Sequence, residues 1–141
     1  MTTRWSHLGL LVPRQRWLLV PYYLLPCAAG LVALLHPSAG VVAASVTLPW
    51  LVLIWAGFYV LGGALCTVGV TLKQLWGESL GLPLLASAST IYSTALLLSY
   101  PERGGAALVV GLLLMTQALG LLDRWMGVMA LLRRARELET E

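Results

Sequence analysis

The chain has 141 residues, of which 59% are hydrophobic and only 11% charged, and its mean hydropathy is +0.84. A water-soluble domain carries about a quarter charged residues to keep its surface wet, so this composition excludes an ordinary soluble domain and points to lipid as the outer solvent. The net charge of +3 does not indicate nucleic acid, because the basic residues stand at the ends of apolar runs and form no patch.

Each membrane-spanning helix needs about 20 apolar residues, and four spans with short turns account for nearly the whole chain, leaving a single transmembrane domain over 1–141. The first predicted span covers about residues 17–35. Arg14 and Arg16 precede it, His36-Pro37-Ser38 follows it, and Pro21 and Pro26 are expected to kink it by removing backbone donors. Ser38-Ala39-Gly40 has the character of a signal-peptidase site, but the apolar run before it is long for a signal peptide, so a retained span is the reading adopted. Leu24-Leu25-Pro26-Cys27 fits a lipoprotein signal poorly, with proline just before the cysteine.

The second predicted span covers about residues 46–70, opening at Pro49-Trp50. Within it Gly62, Cys66 and Gly69 recur at helical spacing and form a small-residue face. The polar stretch Lys73-Gln74-Leu75-Trp76-Gly77-Glu78 is read as a loop. The third span is placed at about residues 80–100, with Ala86, Ser89, Thr90 and Ser93 on one face. Pro101-Glu102-Arg103-Gly104-Gly105 reads as a tight turn, and the fourth span covers about residues 106–122. Gln117 is its most polar residue and is expected to find partners among the hydroxyls of the third span. After it, Leu122, Trp125, Met126, Met129 and Leu132 recur at helical spacing, opposite Asp123, Gly127, Ala130 and Arg134. The fourth helix is therefore expected to continue past the membrane, over residues 123–141, as an amphipathic cytoplasmic extension whose basic end favours anionic headgroups.

Basic residues near the span ends set orientation. With four spans, one side receives Arg4, Arg14, Arg16, Lys73, Arg124, Arg133, Arg134 and Arg136, and the other only Arg103. This predicts both termini in the cytoplasm; a three-span reading would put a basic cluster outside.

An intramembrane charge costs about 2.5–3.5 kcal/mol on insertion scales and survives mainly where ion or proton coupling needs it. No Asp, Glu, Lys or Arg lies between Trp17 and Leu72, which argues against a proton-coupled transporter. His7 and His36 have no acidic or cysteine neighbour in sequence, and Cys27 and Cys66 fall within spans, where a thiol behaves as a small hydrophobe. The expectation is a protein with no catalytic residue, no metal site and no cofactor.

Single residues of Lys and Phe, two of Ile and no Asn mark a GC-rich coding bias. With it come a basic N-terminus, the first-span Trp17, Pro21, Tyr22 and Tyr23, a second span opening on Pro49-Trp50, a Leu/Ala/Ser-rich third span and a charged tail. In these features the chain resembles the small multi-span, holin-like membrane proteins of bacteriophages infecting GC-rich actinobacteria. It departs from commoner holins in having four spans and no second early Met. The resemblance implies a protein that self-associates in the host inner membrane and permeabilises it for lysis, with the small-residue faces mediating assembly. The alternatives read from the residues are a non-catalytic accessory subunit of a membrane complex, or a small passive channel lined by Ser87, Ser89, Thr90, Ser93 and Gln117.

Overall fold

The computed structural model describes residues 13–36, 49–98 and 104–140, and these form four helices: α1 (Pro13–Leu35), α2 (Pro49–Thr71), α3 (Leu75–Leu98) and α4 (Gly105–Thr140). All four are long and apolar enough to cross a membrane, so this is an all-helical, four-span membrane protein. Its lipid-facing surface is built of exposed leucines and valines, such as Leu25 and Val32 on α1 and Leu113 and Leu119 on α4.

Both α1 and α2 begin on a proline, whose fixed φ and missing donor suit a first helical position. Pro21 and Pro26 lie inside α1, and Pro83 inside α3, without ending either helix. Within a membrane, neighbouring groups re-satisfy the carbonyls that a proline frees.

The close interfaces run in chain order, α1 on α2, α2 on α3, and α3 on α4. The middle helices are consequently the most buried, and α1 and α4 expose the most surface. Glycines set how closely the helices approach. A Cβ at Gly30 would stand 2.7 Å from the Ala56 carbonyl oxygen, and one at Gly63 2.7 Å from the Tyr23 carbonyl oxygen, so α1 and α2 touch through backbone. On the other side of α2, Gly62 meets Gly81, and Gly69 meets Gly77.

Two boundaries differ from expectation. The α2–α3 connection is far shorter than the predicted loop, because α3 begins at Leu75 and takes in Trp76, Gly77 and Glu78. The amide of Gln74 donates to the Gly69 carbonyl at 2.8 Å and that of Lys73 to the Val70 carbonyl at 3.3 Å. This is a Schellman stop, with Lys73 at φ +58° in the left-handed position that glycine usually takes. It turns the chain in three residues, and Glu78 then sits in the first turn of α3, where a carboxylate is favoured.

At the other end of the sequence, α4 is one unbroken helix of 36 residues. Its inward stripe is shifted from the predicted one: Leu121 and Val128 are buried, while Leu122 and Met126 face outward. Asp123, Gly127, Ala130 and Arg134 are exposed, as the amphipathic pattern requires.

Candidate functional site

The polar residues of the interior gather in two places. The first lies at the end of the molecule that holds the α2–α3 turn. Tyr23 on α1 is fully buried and Glu78 on α3 is 4% exposed. Arg124 Nη2 donates to Glu78 Oε1 at 2.7 Å, and the Tyr23 hydroxyl donates to the same oxygen at 3.2 Å. The Arg124 guanidinium also lies 5.9 Å from the centre of the Tyr23 ring, within cation–π range. One carboxylate thus ties three helices together.

Neighbouring bonds fix the backbone around it. Trp125 Nε1 donates to the Ser79 carbonyl at 3.0 Å, joining α4 to α3 one residue beyond each member of the pair. The Ser79 hydroxyl donates to the Trp76 carbonyl at 2.8 Å. Arg124 Nε is buried and has no partner among the described residues. The guanidinium is held by one of its nitrogens, with a donor left over.

The second place lies further along α2 and α3. Tyr59 and Ser89 share a hydrogen bond of 3.0 Å between their hydroxyls, both residues being buried. Trp55 stacks on Tyr92 with ring centres 4.6 Å apart and meets Tyr59 edge-on at 5.8 Å. The Ser93 hydroxyl donates to the Gly111 carbonyl at 2.7 Å, joining α3 to α4.

These contacts assign places to the residues singled out in the sequence. Gly62, Cys66 and Gly69 lie on the α2 face that meets α3, with Gly81 packed on Gly62 and Cys66 and with Gly77 on Gly69. Ala86, Ser89 and Ser93 are buried within the chain, Ser89 against α2 and Ser93 against α4. Thr90 departs from the shared face: it is exposed, and its hydroxyl returns to the Ala86 carbonyl of its own helix at 2.9 Å. Gln117 is half-buried, and the expected partners are turned elsewhere, Ser89 to Tyr59 and Ser93 to Gly111. Ser87 is exposed as well, so the five residues of the predicted channel lining do not converge. Lys73, Arg133 and Arg134 are exposed. The side chains of Arg14, Arg16 and Arg136 lie outside the described residues, as do Arg4, Arg103, His7 and the stretch around Ser38.

The ion pair is the feature that sequence reading missed. The sequence puts Glu78 in a loop and gives Arg124 only a headgroup and topology role. The signal was present in the spacing. Glu78 stands about 20 residues before the end of α3 and Arg124 about 20 after the start of α4, so antiparallel helices bring the two to one height.

Among the described residues no three His, Cys, Asp or Glu side chains gather as metal ligands. Cys66 packs on Gly81, and the Cys27 thiol donates to the Val60 carbonyl at 3.6 Å. What the arrangement does is hold three helices at one end. Comparison with protein-family models, with curated proteins and with solved structures gives no match for this chain.

Proposed function

We propose that this protein is a non-catalytic accessory subunit of a bacterial membrane complex, with both termini in the cytoplasm and the end of α4 as its docking arm. The observation that carries this reading is the length of α4. At 1.5 Å per residue α4 is about 54 Å long, against about 35 Å for each of α1, α2 and α3. The hydrocarbon core is about 30 Å thick, so an unbroken α4 anchored at Ser93 and Glu78 extends beyond it. Two further facts support the reading. Gly62, Cys66, Gly69, Ala86, Ser89 and Ser93 pack inside the chain, and the buried side chains of Glu78, Ser89 and Ser93 have partners within it. The eight-to-one distribution of basic residues supports the orientation.

The test is to purify the full chain and a chain ending at Leu132 from native membranes in mild detergent and compare their masses on native gels. A larger assembly with the full chain that is lost on truncation, while the shortened chain stays inserted, is the expected result. Equal, monomeric masses for both would sink the docking reading.

The resemblance to holin-like phage proteins supplies a second reading, favoured by the exposed apolar flanks of α1 and α4. On this reading copies self-associate through those flanks, since Gly62 and Ser89 are already occupied within the chain. Induced expression, with and without a cytoplasmic endolysin, separates the two readings. Abrupt loss of membrane potential followed by lysis only with endolysin supports lesion formation; normal growth at high, membrane-verified expression removes it.

A further inference from the structure

Tyr23, Glu78 and Arg124 occupy a position that the rest of the packing leaves open. Because the close interfaces follow chain order, α4 rests mainly on α3, and α1 mainly on α2. Glu78 is the point at which both outer helices are bonded to the same side chain. The polar contacts of α4 with α3 include two widely spaced points. Ser93 holds the Gly111 carbonyl, and Glu78 with the Ser79 carbonyl holds Arg124 and Trp125. From Gly111 to Arg124 is about 20 Å of helix, and from Gly111 to Thr140 about 44 Å. A movement at the Glu78 anchor is therefore roughly doubled at the tip.

The pair is also poorly suited to contribute much stability. Removing two charges from water is expensive, and a buried ion pair repays that only when its remaining donors are satisfied. Here one donor of Arg124 is buried without a partner among the described residues, so the net gain is small although the geometry is specific. Such a contact fixes position more than it adds stability.

We infer that Tyr23, Glu78 and Arg124 form a latch that sets the angle of α4, with the Ser93–Gly111 contact as the pivot, and that opening it swings the α4 extension. The charged and titratable groups at the latch are Glu78 and Tyr23, facing Arg124 from α3 and α1, and Cys66 on α2; Asp123, beside Arg124 on α4, is exposed. The arm is the one assigned to docking above, but the latch is a property of the isolated chain and is tested without a partner.

The test places spin labels at two exposed positions, Leu72→Cys in the turn and Met126→Cys on α4, in a Cys27→Ala, Cys66→Ala background, and reads their distance distribution by pulsed electron resonance in nanodiscs. The parent is expected to give one narrow distribution. Glu78→Gln is expected to give a roughly twofold broader one with its mean moved outward, whereas Arg124→Lys, which keeps a charge opposite Glu78, stays narrow. Superposition of the Glu78→Gln and parent distributions would overturn the latch. If Glu78→Gln does not stay monodisperse, Glu78→Leu combined with Arg124→Met is read instead: broadening supports the latch, and a parent-like distribution overturns it. Loss of docking with an intact latch, or the converse, separates this inference from the proposed function.

Discussion

At the scale of single residues, Glu78 is decisive. Its carboxylate is buried and accepts from both Arg124 and Tyr23. Removing one partner of such a pair leaves an uncompensated charge, whereas replacing both with apolar side chains of similar volume is close to neutral. Glu78→Ala should therefore lower stability by about 3 kcal/mol, the low end of the usual range because Arg124 keeps some contact with solvent. Glu78→Leu combined with Arg124→Met should lie within about 1 kcal/mol of the parent. Thermal or denaturant unfolding in detergent micelles measures both. A loss in the double variant as large as that of Glu78→Ala would mean that an uncompensated buried charge is not what makes the single variant costly. Lys73 makes a second residue-scale case, since it holds a left-handed backbone conformation at φ +58°. Lys73→Gly should raise stability by up to about 1 kcal/mol in the same assay, because glycine takes this conformation without a Cβ clash. The spacing of Glu78 and Arg124 puts them at one height on antiparallel helices, but neither their pairing nor the Lys73 conformation could be read from the sequence as such. The pairing depends on how α3 and α4 lie against one another, and a lysine gives no local sign that it will occupy a glycine position.

At the scale of elements, the existence of four spans was legible because apolar length is a strong signal, and the ends were less so. The third span was expected to start near Leu80, since Lys73 to Glu78 looks polar. The structure starts α3 at Leu75, because the Schellman stop needs only three residues and leaves Glu78 a protein partner instead of water. The small-residue face of α2 was visible in the spacing of Gly62, Cys66 and Gly69, yet its partner was not. That partner is Gly77 and Gly81, of which the first fell inside the supposed loop. The seam makes a sharp prediction. A Cβ at Gly81 would stand 2.5 Å from Cys66 Sγ and 2.6 Å from the Gly62 carbonyl oxygen, so one neighbour is backbone and cannot turn aside. Gly81→Ala should cost roughly 1–3 kcal/mol by forcing α2 and α3 apart. Gly120→Ala is the control: nothing lies within 4 Å of its added Cβ, and the gain in helix propensity should be up to about 1 kcal/mol. If the two substitutions shift the unfolding midpoint alike, the close approach of α2 to α3 is absent from the protein in micelles.

At the scale of the whole molecule, the proposal that both termini face the cytoplasm makes the last prediction. Green fluorescent protein fused after Glu141 should fluoresce, and alkaline phosphatase inserted at Arg103 should be active, since the enzyme works only on the outer side. Which charges set this orientation can be argued further. Arg124 is paired with Glu78 in the folded protein, but topology is decided as the spans insert, before α3 and α4 have met, so Arg124 still counts as a cation at that stage. Replacing Arg133, Arg134 and Arg136 together by Gln leaves five basic residues on the proposed inner side against Arg103 on the other. The bias survives, and the triple variant should keep both reporters in their parental state. Inverted reporters would mean that the C-terminal cluster alone holds the orientation and that the N-terminal arginines contribute little. Because α4 then carries the only determinant, its long extension would be a topological anchor first and a docking arm second.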